Sequence, residues 1–326
     1  MSRLTAPLPT DMPSVIVACT MLTIIENISP VFLVIGLGYL SRKLGFLPDS
    51  FIQSANRLVY YIAIPILIFG EISRGNFAES FNPGQIGATF LVVAVIFFLS
   101  LGIGGAMRLP PGGRATFSQT SFHGNLGYVG LAVVFYVLGN EGRAAASVLA
   151  GFLMLFQNFL SISLFTLLAG GGKKLSLGMV WKFLGNPIIL ATLLGLVFSA
   201  GGVRIPGFMT RTFSIVAEMA LPLALLIIGG SLKPFSTRRL RLVALSTALK
   251  LAILPMAGFF LFRFIHLEPG AAGAAIIFLA SPSATISYVM AAEMGGDKDL
   301  AAAAVTASTA LSIITYTLWI GIMATS

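Results

Sequence analysis

Ten apolar runs follow one another along this chain, near 22–40, 54–72, 84–107, 114–138, 143–169, 178–200, 212–232, 241–264, 270–294 and 300–324. A helix that crosses a bilayer needs about 20 mostly apolar residues. Runs of that length at this density leave little choice of fold. Charged residues make up 10% of the chain, against about 25% in soluble domains, so a multi-spanning membrane protein is expected. A membrane β-barrel would alternate polar and apolar residues over short strands. These runs are continuous, and the expected fold is an all-α bundle of ten transmembrane helices. The links between runs leave no room for a separate soluble domain.

The distribution of Lys and Arg sets the orientation, because cytoplasmic loops are enriched in both. Odd-numbered connections carry Arg42, Lys43, Arg57, Arg108, Arg114, Lys173, Lys174, Lys182, Lys233, Arg238, Arg239, Arg241 and Lys298. Even-numbered ones carry only Arg74, Arg143, Arg204, Arg211 and Arg263. Both termini are therefore expected outside the cytoplasm. The same bias explains the excess of 20 basic over 11 acidic residues without a nucleic-acid partner. One cysteine, Cys19, excludes an internal disulfide and a cysteine metal cage. Residues 1–21 hold Pro7, Pro9, Pro13 and Asp11, poor chemistry for a signal peptide. They read as an irregular tail, with Met12 and Met21 as alternative starts.

The chain also repeats itself. NISPVFLVIGLGYL around Pro30 resembles LGNPIILATLLGLVF around Pro187, and YYIAIPILIFGEIS around Pro65 resembles EMALPLALLIIGGS around Pro222. Both pairs are 157 residues apart, and the same shift places Asn125 on Pro282, Gly139 on Gly296 and Asn140 on Asp297. Each half, 22–169 and 170–326, holds five spans. Five is odd, so the second half must enter the membrane upside down, an inverted repeat. Pro30 and Pro187 read as kinks of the kind membrane bundles tolerate. Pro65 and Pro222 read equally as flexing points or static kinks.

Two stretches interrupt the apolar pattern. SFHGNLGYVG at 121–130 places Gly124, Gly127 and Gly130 beside Ser121, His123 and Asn125, and SPSATIS at 281–287 follows at the equivalent place. Glycine costs about 1 kcal/mol against alanine inside a helix, and proline removes a donor and clashes with the preceding turn. Span 4 is expected to unwind at Gly124–Gly127 and span 9 at Ser281-Pro282-Ser283. Close helix packing at small residues is the simpler alternative. Half-helix ends bare N–H groups on one side and C=O groups on the other, and paired antiparallel breaks bring opposite dipole ends together. The positive ends suit an anion.

Polar side chains gather around these breaks. Asn125 can donate and accept, so it can cap backbone or bind a carboxylate. His123 can carry a proton, though a lone histidine is more often just hydrogen-bonded. Ser283, Thr285 and Ser287 can refill backbone bonds lost at Pro282. Gln157 and Asn158, midway along span 5, either face a cavity or join helices. Lys250 lies nine residues past Arg241, about 13 Å deep at a rise of 1.5 Å per residue. A charge at that depth is a functional candidate. It can pair with substrate or, the reading preferred here, hold the carbonyl ends of the broken helices. Glu218 and Glu293 lie nearer span ends and read as solvated. No carboxylate ring, phosphate-binding loop or catalytic triad is visible, so neither an enzyme nor an ATP-driven pump is expected, and no metal or bound cofactor.

The stretches SFHGNLGYVGLAV, NPIILATLLGLV, LPLALLIIGGSL, LKLAILP and SPSATISYVMAAEMGGDKDLAAAAVTASTALSIITYTLW resemble the auxin efflux carrier family. The resemblance runs from span 4 to the C-terminus and is weaker in spans 1–3. It implies a ten-helix fold akin to bile acid/sodium symporters, with a scaffold domain of spans 1, 2, 6 and 7 and a transport domain of spans 3–5 and 8–10. It implies that spans 4 and 9 cross with substrate beside the crossing, and it allows a homodimer. The link GGGKKLSLG is short, as in bacterial members, which include malate and malonate permeases, so an inner-membrane location is expected. Where the family often has proline after the glycine pattern, this chain has Ala132, and span 4 must break on glycines alone. The expected function is a secondary or potential-driven carrier of small organic anions, with coupling to protons or sodium left open. A sodium-coupled bile-acid-type symporter and a non-transporting receptor on the same fold are the alternatives.

Overall fold

The computed structural model describes residues 15–74, 81–139, 143–169, 185, 187–203, 205–232 and 239–325. Most of the expected tail, the link GGGKKLSLG, and Asn140, Lys173, Lys174, Lys182, Arg204, Lys233 and Arg238 lie outside these residues. Helices occupy all ten apolar runs. They are α1 (Val15–Lys43), α2 (Asp49–Arg74), α3 (Pro83–Ala106), α4 (Pro111–Phe122), α5 (Leu126–Leu138) and α6 (Arg143–Leu168). The second half holds α7 (Pro187–Ala200), α8 (Gly207–Ser231), α9 (Leu240–Phe264), α10 (Pro269–Leu279), α11 (Ile286–Glu293) and α12 (Lys298–Thr325). No strand occurs among the described residues. Among the described residues, six helices are long and apolar enough to cross a membrane: α2, α3, α6, α8, α9 and α12. The helices α5, α7 and α10 are shorter and apolar. Large apolar side chains such as Leu33, Phe98, Ile215 and Phe264 lie exposed, as a lipid-facing surface requires.

Helix starts are written in the sequence. Asn82 Oδ1 accepts the Gln85 amide at 2.9 Å ahead of α3, and Glu268 takes the amides of Gly270 and Ala271 ahead of α10. In both helices a proline follows the capping residue, where its missing N–H costs nothing. Prolines further inside disturb the ladder instead. Five residues of π-helix, Val59–Ala63, precede Pro65 in α2, and five more, Leu249–Ile253, precede Pro255 in α9. Pro255 has no N–H to offer the Leu251 carbonyl four residues back. Trp319 Nε1 on α12 takes that place at 2.9 Å. In α8 the ladder is interrupted at Met219, just before Pro222.

Two helix pairs pack with backbones in close approach. α1 crosses α8 where Gly38 lies against Leu226 and Gly229 against the backbone of Ile35. α7 packs on α2 where Gly195 faces Ile72 and the Phe69 carbonyl. Gly38 and Gly195 are 157 residues apart, as are Ile72 and Gly229, so the two crossings use positions that share the 157-residue offset. The remaining helices pack among themselves around α4, whose residues from Ala115 to Phe122 are all buried. Their ends are tied together: Arg239 pairs with Asp297, whose amide donates to Thr116 Oγ1 at 2.8 Å.

Candidate functional site

α4 stops at Phe122 and α5 begins at Leu126, with His123, Gly124 and Asn125 in non-helical backbone between them. The gap opens slightly ahead of the expected Gly124–Gly127. The glycines at 127 and 130 instead lie in a π-turn, Leu126–Gly130, and Ala132 is helical and buried in α5. α10 stops at Leu279 and α11 begins at Ile286, which puts the second gap at Ser281-Pro282-Ser283 as expected.

The two gaps are bonded to each other. Asn125 N donates to Pro282 O at 2.7 Å and Ala284 N to His123 O at 2.9 Å. These bonds form an isolated antiparallel bridge between Gly124 and Ser283. The shift of 157 maps Asn125 onto Pro282, so the residues paired by the repeat are the ones joined. Gly124 is needed for the approach, because a Cβ there would run into Ser281 Oγ and lie 3.3 Å from Lys250 Cε. Gly130 serves packing, since a Cβ would meet the Phe278 ring at 2.9 Å.

Backbone groups freed by the breaks must find partners, because an unsatisfied one in lipid costs several kcal/mol. Gln157 on α6 serves two of them, accepting from Gly124 N at 3.0 Å and donating to Phe122 O at 3.2 Å. Ser283 Oγ donates to Thr120 O at 2.7 Å, across to the other gap. Ser281 Oγ refills Phe278 O at 2.7 Å, and Ser308 Oγ takes Ser283 N at 3.0 Å. Lys250, fully buried in the π-turn of α9, donates to Leu279 O at 2.6 Å at the carbonyl end of α10. Ser287, expected to refill a bond, is buried with its hydroxyl unpartnered. His123 Nδ1 lies 2.8 Å from Ser161 Oγ.

A cavity of about 1250 Å³ opens beside the crossing. His123, Gly124, Asn125, Gly127, Asn158 and Thr285 line it. Gly130, Gln157, Lys250, Ser281, Pro282, Ser283 and Ser287 do not, and most of them hold backbone behind the wall. Asn125 is 5% exposed, and its Nδ2 has no hydrogen-bond partner. A buried amide donor without a partner, in a residue that lines a cavity, is a group that lacks its acceptor. The first turn of α5 lines the cavity beside it through Leu126 and Gly127, with the Leu126 amide taken by Gly124 O at 3.0 Å and the Val129 amide by Asn125 O at 3.2 Å. The facing wall is a stripe of α2: Asp49, Gln53, Asn56, Arg57, Tyr60 and Ile64. Tyr128 Oη bridges the walls, donating to Asn56 Oδ1 at 2.7 Å. At the mouth the ends of α1, α2 and α11 bring together Arg42, Asp49 and Glu293, and Arg42 pairs with Asp49 at 2.5 Å. A smaller cavity of about 450 Å³, lined by Phe69, Phe198, Met209 and Phe213, is apolar.

The α2 stripe was missed by sequence reasoning. Its signal is present in DSFIQSANRLVYYI, where polar residues recur every three or four positions, the spacing of one helix face.

All-helical and largely apolar, with interrupted helices beside a large cavity, the chain has the features of a membrane transport protein. The sequence profile of the family described as "Membrane transport protein" matches residues 23–320, and the chain belongs to that family, the auxin efflux carriers. A Rhizobium meliloti strain 1021 protein named "Putative malonate transporter" is 26% identical over 307 residues, 88% of this chain and 92% of that one. "Uncharacterized transporter YfdV" of Escherichia coli K12 is 23% identical, covering 91% of this chain and 96% of its own. An "Uncharacterized transporter" of Methanothermobacter thermautotrophicus is 24% identical, covering 90% and 96%.

Proposed function

We propose that this protein carries small organic anions, carboxylates such as malonate or malate, across the membrane by alternating access at the crossing of the two broken helices. The observation that carries the reading is Asn125, a cavity-lining residue at the start of α5 whose buried Nδ2 has no protein partner. An unpartnered donor at a helix start favours a negative ligand. The name of the Rhizobium meliloti relative points to the same class of substrate.

In this reading the ten runs are ten spans in a 5+5 inverted repeat. The α1–α8 and α7–α2 crossings and the Asn125–Pro282 bond support it. α1, α2, α7 and α8 form the scaffold, and the other helices form the transport domain. With basic loops inside, the mouth at Arg42, Asp49 and Glu293 faces the cytoplasm, in the inner membrane. Movement of the transport domain against the scaffold breaks the Tyr128–Asn56 bond and carries Asn125 to the other face.

Counterflow in proteoliposomes loaded with malate, malonate or indole acetate tests the proposal. Exchange of at least one carboxylate is expected. Exchange of none of them would overturn it.

A further inference from the structure

Two guanidinium groups line the cavity, and only one is committed. Arg42 is held at the mouth by Asp49 and by the Leu47 carbonyl at 2.7 Å. Arg57 lies eight residues further along α2 than Asp49, about 12 Å along the helix axis, and it is exposed to the cavity. It takes part in neither of the two ion pairs found among the described residues, Arg42–Asp49 and Arg239–Asp297.

The neighbour of Arg57 on α2 is tied to the wall that carries Asn125. Tyr128, three residues after Asn125, donates to Asn56, the neighbour of Arg57. Asn125 and Arg57 thus line one cavity from two walls that the Tyr128–Asn56 bond joins. A monocarboxylate on Asn125 would leave Arg57 unused. A ligand with a second carboxylate would satisfy both, and the planar guanidinium fork takes a carboxylate with two parallel bonds.

We infer that Arg57 makes the carrier selective for dicarboxylates, receiving the second carboxylate of a ligand whose first is held by Asn125. The inference rests on the carboxylate-carrier reading above and adds the number of charges on the substrate. Glu293, an exposed carboxylate on the cavity lining outside both ion pairs, is tested alongside it.

The experiment is counterflow by reconstituted protein with malonate and malate against acetate and propionate, in wild type, Arg57→Gln, Arg57→Lys and Glu293→Gln. A charge-assisted hydrogen-bond pair corresponds to a preference of about 10- to 100-fold. Wild type is expected to prefer the dicarboxylates by that factor. Arg57→Gln is expected to lose the preference, its dicarboxylate exchange falling to about the level of its monocarboxylate exchange, and Arg57→Lys to keep part of it. Glu293→Gln is expected to keep all of it. Thermal stabilisation by malonate in detergent gives a second readout, expected in wild type and lost in Arg57→Gln. A preference that survives Arg57→Gln, or falls equally in Glu293→Gln, overturns the inference. Exchange of monocarboxylates alone by wild type overturns it and leaves the carrier reading standing, whereas exchange of no carboxylate overturns both.

Discussion

The two breaks meet at one point but are held in different ways. The glycine break at 123–125 is clamped by a neutral amide, Gln157, which both accepts from Gly124 and donates to Phe122. The proline break at 281–283 is anchored by a charge, Lys250, on a single carbonyl of Leu279. The first break lines the cavity with His123, Gly124 and Asn125, while of the second only Ala284 and Thr285, beyond the proline, reach it. The difference assigns the roles. Gln157 takes over the backbone of the first break and Asn125 Nδ2 is left without a partner, as the proposed ligand role requires. At the second break Ser281, Ser283 and Lys250 are all engaged with carbonyls, so it serves as the support.

Removing each clamp separates the two sides. Gln157→Leu strands one amide and one carbonyl, and a buried unsatisfied group costs about 1–3 kcal/mol. The summed loss, about 2–6 kcal/mol, is the largest expected and reads out as a lower melting temperature in detergent. Asn125→Ala deletes a group with no protein partner at Nδ2, so the melt is expected to stay near wild type. Its carboxylate exchange is expected to fall about 10- to 100-fold, and wild-type exchange by this variant would remove the contrast between the breaks. Gly124→Ala forces a methyl onto Ser281, an overpacking worth about 1–3 kcal/mol. Ser281→Ala in the same chain is expected to recover much of that, which thermal unfolding of the double variant measures. Lys250→Met has the smallest effect, because the lost bond to Leu279 is offset by relief from burying a charge. A net change within about 1 kcal/mol is expected, and a collapse of folding would show that the charge holds more than one carbonyl.

The helices and their breaks were legible because their causes are local. Long apolar runs, prolines after Asn82 and Glu268, and glycines at 124 and 127 act within one stretch of chain. The repeat pointed to the partner of SFHGNLGYVG. The Gln157 clamp was not legible, since a polar residue in mid-helix does not reveal which distant backbone it satisfies. The same is true of Trp319, whose partner Leu251 is vacated by a proline on another helix. Arg57 was counted only as a loop charge. Its place on the cavity wall depends on which face of α2 meets α5, and that is set by tertiary packing.

Alternating exposure of the crossing is the central claim, and thiol labelling tests it most directly. In a Cys19→Ser background, Thr285→Cys places one thiol on the cavity wall at the second break. The account predicts labelling by a membrane-impermeant maleimide from either side of an oriented membrane, slowed from both sides by saturating malonate. Labelling from one face only, under every substrate and voltage condition, would contradict it.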